Sequence, residues 1–323
     1  MKKIAVFTSG GDAPGMNACI RSVVRTAVYN KVEIMGIIHG YNGMIADDFV
    51  QMNSRSVSNI IQRGGTILKT ARSEKFLTAE GRRSAFENLK KNGIEGIICI
   101  GGNGTFTGAK IFFEEYGIPS IGAPGTIDND LYGTDFTIGF DTAINTAVDA
   151  IDKIRDTAES HDRVFFIEVM GRHAGFIALS SGTAGGAEVI LVPEAKDDWK
   201  KLTHYFSGKN KIHKAFSIVV VAEGDEHGGA LKIVEHLKKN MPGFDPRVTI
   251  LGHVQRGGSP TAYDRVLASR LGNAAVEALL RGETNKMAGL INNNIILTSY
   301  DDAINKTKPL NSELLRLVDV FNV

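Results

Sequence analysis

Cysteine is nearly absent from this 323-residue chain: Cys19 and Cys99 are its only two, far apart, beside apolar neighbours and without a CxxC spacing. That excludes a disulfide scaffold and a CxxC redox or zinc site, and fits two inert core thiols in a reducing compartment. A surplus of one charge is missing too. Lys plus Arg number 37 and Asp plus Glu 36, a formal net charge of +1, whereas a chain that lives on phosphate-backbone contacts is markedly basic. Nucleic acid is not an expected partner. No apolar run approaches the ~18 residues that span a bilayer. The start, Met1-Lys2-Lys3-Ile4-Ala5-Val6-Phe7, opens like a signal peptide but meets Thr8, Ser9, Gly10 and Gly11 too soon. No membrane partner and a cytoplasmic location are therefore expected. Low-complexity tracts, short-period repeats and long Pro/Gly/Ser linkers are also lacking. The length, at ~150 residues per domain, predicts about two domains. Without a linker between them, the chain must cross from one lobe to the other.

Short β-branched runs alternate with longer amphipathic stretches. Expected strands are Lys3–Thr8, Val32–Ile38, Gly96–Ile100, Ser120–Ala123, Val164–Val169, Val189–Val192, Phe216–Ala222 and Val248–Leu251. Several are almost wholly apolar, as befits parallel strands covered on both faces. Helical patterns lie between them at Thr78–Lys91, Asp141–Thr157 and Ala262–Arg281. In the last, Val266, Leu267, Leu271, Ala274, Ala275, Ala278 and Leu279 predict one buried stripe. The alternation predicts an α/β fold with parallel sheets. The charge run from Lys196 to Lys214 is expected to be a solvated loop-helix surface.

Glycines cluster where strands end. Three sites stand out: Thr8-Ser9-Gly10-Gly11-Asp12, Ile100-Gly101-Gly102-Asn103-Gly104-Thr105 and Gly122-Ala123-Pro124-Gly125-Thr126-Ile127-Asp128-Asn129-Asp130. Glycine there lets the backbone approach a phosphate closely, and a following helix N-terminus offers it N–H groups. One such loop alone is an ordinary tight turn; three together favour phosphate binding. Neither the P-loop lysine pattern nor GxGxxG is present. The GGNGT segment instead resembles the GGDGT loops of NAD and diacylglycerol kinases, a rival reading.

Asp128 and Asp130 suit phosphoryl transfer to an alcohol, where one carboxylate takes the hydroxyl proton and another orients Mg²⁺. An Asx turn that only organises backbone is the competing reading. A basic set stands at strand ends: Arg163, Arg172 in Met170-Gly171-Arg172, Arg247, and His253 and Arg256 in His253-Val254-Gln255-Arg256-Gly257-Gly258. Arginine captures phosphate bidentately, so this set predicts a substrate with its own phosphate. Glu223, ending an apolar run, is a candidate acceptor for sugar hydroxyls.

With Pro124–Asp130, Val169–Arg172, Lys153–Thr157 and Leu251–Pro260 in view, the chain resembles the bacterial ATP-dependent 6-phosphofructokinases over nearly its whole length. The resemblance implies two Rossmann-like three-layer lobes: a large ATP-binding lobe at 1–140 plus 253–306, and a smaller fructose-6-phosphate lobe at 141–252 plus 307–323. It makes Asp128 the base for the fructose 1-hydroxyl and gives Thr126, Arg172 and Gly11 to the transferring phosphoryl group. Asp130, with Asn103, is implied to organise Mg²⁺. ATP is implied to lie on Gly11, Arg72, Ser73, Gly102, Asn103, Gly104 and Thr105. Fructose 6-phosphate is implied to meet Thr126, Ile127, Asp128, Met170, Gly171, Arg172, Glu223, His253 and Arg256, with Arg163 and Arg247 reaching it from a neighbouring subunit of a homotetramer. An effector pocket for ADP or phosphoenolpyruvate is implied at Arg21, Arg25, Arg155, Gly186, Glu188 and Lys214.

Two glycines bear on the phosphoryl donor. Pyrophosphate-dependent relatives carry Asp and Lys where this chain has Gly104 and Gly125, which favours ATP. Asn103 departs from the family's aspartate and removes one negative charge beside the metal. A slowed kinase, or a silent regulatory paralogue that only binds, is the alternative this substitution raises. Ser54 and Ile212 stand where some relatives have arginine, which thins the effector pocket.

Overall fold

Runs of Ile, Val and Ala that read as continuous core become strands with both faces covered. The computed structural model describes residues 1–195, 202–203, 205–206, 216–241 and 243–321. Its strands are β1 (Lys3–Thr8), β2 (Glu33–Ile37), β3 (Phe49–Met52), β4 (Ile97–Gly101), β5 (Ser120–Pro124), β6 (Val164–Val169), β7 (Val189–Leu191), β8 (Ser217–Ala222), β9 (Arg247–Ile250), β10 (Lys286–Ile291) and β11 (Asn294–Ser299). The helices of at least eight residues are α1 (Met16–Tyr29), α2 (Ala79–Lys91), α3 (Asn103–Tyr116), α4 (Phe140–Ser160), α5 (Phe176–Ala184), α6 (Gly229–Asn240), α7 (Ala262–Leu280) and α8 (Ser312–Phe321). The fold class is α/β, as expected.

The chain forms two compact units. The first holds Met1–Ile127, Leu131–Thr142 and Arg256–Lys308; the second holds Asp128–Asp130, Ala143–Gln255 and Pro309–Val323. The first unit carries a seven-stranded sheet in the order β11-β10-β5-β4-β1-β2-β3. Its five inner strands are parallel, and the edge strands β3 and β11 pair antiparallel. On one face Ala5, Phe7, Met35, Ile97 and Cys99 pack with Phe76, Phe106, Phe112 and Tyr300. On β1, β5 and β10 lie α1 and α7, which also pack on each other. There Ser22 Oγ donates to the Ser269 carbonyl, and Thr26 Oγ1 donates to Asn273 Oδ1 at 3.0 Å. Gly272 permits the approach, since a Cβ on it would stand 2.9 Å from the Cys19 carbonyl oxygen. Both cysteines are fully buried, and burial pushes the Cys19 thiol up to about 12, in keeping with an inert thiol.

The second unit carries a four-stranded, all-parallel sheet, β7-β8-β6-β9. Its core includes Phe166, Leu191, Val219, Val221, Ile233 and Leu237. Leu202 is buried in that core, with Tyr205 and Phe206 against it, so the segment from Lys196 to Lys214 is not simply a solvated surface. The rest of that segment, Lys214 included, lies outside the described residues.

Helix α4 carries the chain from the first unit into the second, with Thr142 and Ala143 at the change. Its start is pinned within the first unit. Asp264 of α7 accepts the N–H groups of Gly139 and Thr142, each at 2.8 Å, and the Thr142 hydroxyl at 2.5 Å. In return Thr261, the N-cap of α7, donates its hydroxyl to Asp141 Oδ2 at 2.6 Å. Each helix start thus carries a carboxylate of the other, where the helix dipole favours one. Burial pushes the Asp264 carboxyl up to about 6, against those hydrogen bonds.

Three expectations need correction. Val266 is 60% exposed, because the buried face of α7 is centred on Ala268, Leu271, Ala275 and Leu279, about half a turn away. The short edge strand β3 and the β10–β11 hairpin were not expected. The edge strands β3 and β11 are largely exposed or half-buried, which weakens the apolar signal that marks an inner strand.

Candidate active site

In the first unit β5, β4 and β1 are adjacent and parallel, so the three glycine-bearing loops emerge side by side from one edge of the sheet. Gly10 adopts φ +88°, and its carbonyl accepts the Thr70 hydroxyl at 2.8 Å. Gly101 must lack a side chain: a Cβ would stand 2.3 Å from Thr105 Oγ1 and 2.6 Å from the Ser9 carbonyl oxygen. The Thr105 hydroxyl donates to that carbonyl at 3.2 Å and so ties the first loop to the second. The Gly125 N–H donates to the Gly101 carbonyl at 2.9 Å and ties the second to the third. Thr126 is held by the Thr137 hydroxyl, which donates to its carbonyl at 2.6 Å, and its side chain faces Gly102.

The second loop opens α3. Its N-cap, Gly102, supplies no side-chain cap, and no acidic residue occupies the first turn, an arrangement that suits an incoming anion. A Cβ on Gly104 would meet nothing within 4 Å, whereas one on Gly125 would stand 3.0 Å from Ile100 Cγ2 and 3.1 Å from Met16 Cε. Position 104 is open space, and position 125 is walled. Arg256 lies against the first loop: its Nη1 donates to the Asp12 carbonyl at 3.2 Å, and a Cβ on Gly11 would come within 2.5 Å of that nitrogen. Arg72 is exposed, and Ser73 accepts the Phe76 N–H at 3.2 Å.

Asp128, Asn129 and Asp130 belong to the second unit although first-unit residues flank them on both sides. Asp128 is 5% exposed, and Asn129 takes a left-handed conformation, φ +54°. Elsewhere in this unit β8, β6 and β9 end together, which gathers Glu223, Met170–Arg172 and His253 along one edge of the sheet. Arg172 sits at φ +54° and donates its N–H to Glu223 Oε1 at 2.8 Å. Glu223 in turn donates its own N–H to the Val169 carbonyl at 2.9 Å.

Arg163 and Arg247 are not part of that gathering. They precede or begin β6 and β9, at the opposite end of the strands. At ~3.3 Å per residue the two ends are about 17–20 Å apart. Arg172 and His253 share one edge of the sheet, and Arg163 and Arg247 the other. Arg247 is paired with Asp245 at 3.0 Å, which holds that carboxyl below its ordinary range.

Of the expected effector residues, Arg155 donates to the Gly185 carbonyl and, at 2.7 Å, to that of Gly186. Its guanidinium stands 6.0 Å over the Phe216 ring. Glu188 is buried and accepts the Ile218 N–H at 2.8 Å. Arg21 and Arg25 lie one turn apart on α1; desolvation, with the Arg25 charge second, lowers Arg21 below its ordinary value. Sequence reasoning missed Gln255 and Asp264. Both are polar residues in segments that otherwise read as apolar or glycine-rich.

Residues 3–279 match the family model described as Phosphofructokinase. The chain is 58% identical to the ATP-dependent 6-phosphofructokinase of Cytophaga hutchinsonii over 322 residues, covering 100% of this chain and 98% of that one. It is 59% identical to ATP-dependent 6-phosphofructokinase 1 of Thermus thermophilus, covering 99% of each. The chain belongs to the phosphofructokinase family. Among solved structures, Pichia pastoris phosphofructokinase in the T-state superposes with a TM-score of 0.88 at 35% identity over 99% of this chain, which spans 39% of that longer one. This phosphofructokinase has, among its described residues, no helix long and apolar enough to cross a membrane.

Proposed function

We propose that this phosphofructokinase transfers the γ-phosphoryl group of ATP to the 1-hydroxyl of fructose 6-phosphate, giving fructose 1,6-bisphosphate and ADP. The supporting observation is the row of three glycine loops on one sheet edge, knitted by Thr105 and Gly125 and leading directly into Asp128. The open space at Gly104 and the wall behind Gly125 support ATP as donor.

In this reading the donor's phosphates lie on the amides of Gly11 and of the first turn of α3, with Gly102, Asn103, Gly104 and Thr105 beneath them. Arg72 and Ser73 complete the nucleotide site. The sugar phosphate lies against Met170, Gly171, Arg172, Glu223, His253 and Arg256. Asp128 takes the proton of the 1-hydroxyl as the new O–P bond forms, and the bond from the γ-phosphorus to the β,γ-bridging oxygen breaks, leaving ADP. General-base help of this kind contributes about 10²–10⁴-fold. Gly11, Thr126 and Arg172 stabilise the charge of the group in flight.

Among the described residues no group of three or more His, Cys, Asp or Glu could by itself hold a metal ion. In this reading Asp130 and Asn103 are the residues that would hold Mg²⁺, whose preference is for oxygen ligands such as theirs. When bound, Mg²⁺ supplies charge neutralisation of the transferring group. A cytoplasmic homotetramer, with Arg163 and Arg247 reaching the site of a neighbouring subunit and ADP or phosphoenolpyruvate at the effector residues, completes the proposal.

The test is a coupled assay of fructose 1,6-bisphosphate formation with ATP and then pyrophosphate, on the natural chain and on Asp128→Ser. Turnover with ATP that falls at least 100-fold in the variant, with little change in either KM, is expected. Pyrophosphate-only turnover, no turnover at all, or full activity in the variant would each overturn this reading.

A further inference from the structure

Gln255 is 0% exposed, although its neighbours His253 and Val254 lie in solvent. A primary amide at that depth is costly unless both its ends are satisfied. Both are. Oε1 accepts the Met170 N–H at 3.3 Å, and Nε2 donates to the Gly252 carbonyl at 3.1 Å. One side chain therefore links the residue that leaves β6 to the residue that opens the turn carrying His253. These are the two segments given above to the sugar phosphate.

Both segments have backbones that need holding. Gly171 lies at φ +141°, Arg172 at +54° and Gly252 at +54°. A non-glycine residue in the left-handed region costs of order 1–3 kcal/mol and persists only where its surroundings over-determine it. Arg172 is fixed on one side by the carboxylate of Glu223. Met170 is fixed on the other by Gln255. The chemistry selects the residue type: the link needs an acceptor and a donor on one side chain of this length. Glutamate would present an oxygen to the Gly252 carbonyl, and methionine would satisfy neither end.

We infer that Gln255 is a positioning residue for the acceptor, setting the separation of the Met170–Arg172 turn and His253 so that both reach one fructose 6-phosphate. The inference rests on the functional reading above. Gln255 touches no substrate atom; it acts through the two turns it joins.

The experiment compares the natural chain with Gln255→Met and Gln255→Glu, measuring KM for each substrate, kcat and Tm. A buried donor or acceptor left without its partner costs enough to predict a rise of about tenfold in the KM for fructose 6-phosphate in Gln255→Met. A smaller rise is expected in Gln255→Glu, which keeps the acceptor for Met170, with the KM for ATP within twofold in both. A purely structural role would reduce the folded fraction, lowering apparent kcat and Tm while leaving both KM values alone; that pattern overturns the inference. So does an equal rise in the two KM values. If Gln255→Met does not fold, the KM split of Gln255→Glu decides alone. Failure of the natural chain to turn over these substrates removes both readings, whereas normal turnover with unmoved KM values in the variants removes the role of Gln255 only.

Discussion

Replacing Gly104 by aspartate separates the charge of the proposed donor site from its shape. Gly104 occupies the first turn of α3, and a Cβ there meets no atom within 4 Å. The fold therefore has room for the side chain. It also gains from it, because a carboxylate in a first turn is worth ~0.3–1 kcal/mol. Replacing glycine inside a helix recovers a few tenths more. Gly104→Asp is thus expected to melt at or above the temperature of the natural chain. ATP binding behaves oppositely. A carboxylate about 5 Å from a donor phosphate, at an effective dielectric of ~20, is repelled by about 3 kcal/mol, or roughly 100-fold in affinity. Steady-state assays should show the KM for ATP rising about 100-fold and that for fructose 6-phosphate little changed. Gly104→Ala, with the same Cβ but no charge, should change the KM for ATP less than fivefold. A Gly104→Asp protein that folds normally and keeps its KM for ATP would show that this turn does not face the donor phosphates.

Three further outcomes are expected. Asn103→Asp restores a negative charge beside the metal, and turnover at limiting Mg²⁺ should rise about 10-fold; the same half-saturating Mg²⁺ in both proteins would show that residue 103 does not feel the ion. Gly11→Ala places a Cβ 2.5 Å from the present position of Arg256 Nη1, and that flexible end can move. Tm should hold while the KM for fructose 6-phosphate rises several-fold, and an unchanged KM would detach Arg256 from the sugar site. For Asp264, whose carboxyl is raised to about 6, the linked stability is fully present below its unfolded value near 3.8 and is lost as pH rises through 6. The unfolding free energy of the natural chain relative to Asp264→Asn should therefore rise as pH falls from 7 to 4.5, by about 2 kcal/mol. Parallel pH curves in denaturant titrations would refute that assignment.

How legible the molecule was from its sequence depended on whether the signal was local. Strands such as Lys3–Thr8 and Ser217–Ala222 announce themselves because both faces are buried and nearly every residue is apolar. The hairpin of β10 and β11 does have a local signature: Asn292 and Asn293, both at positive φ, form its two-residue turn, the chemistry of a type I′ connection. Its outer strand, β11, is only half-buried and begins and ends in polar residues, which weakens the signal. The glycine loops could be found because a glycine at a strand end is itself the physical requirement, as Gly101 shows against Thr105. The partners of Gln255 and Asp264 could not be found that way. Gln255 meets Met170 across 85 positions, and Asp264 meets Gly139 across 125, pairings that only the folded chain creates. Arg163 and Arg247 precede their expected strands already in the sequence, and the parallel pairing of β6 and β9 sets both at the end opposite His253.

The seam between α1 and α7 sets a schedule for the newborn chain. The inward side of α1, with Met16, Cys19, Ile20, Val23 and Val24, is completed by a helix that starts only at Ala262. At ~5–20 residues per second a ribosome takes roughly 10–50 s to travel from one to the other. Throughout that interval the side of the first helix that meets α7 has no permanent cover. A ribosome stalled anywhere in that stretch would release a polypeptide with a sticky amino-terminal surface. Cellular holdases would find their binding site there, at the oldest part of the chain.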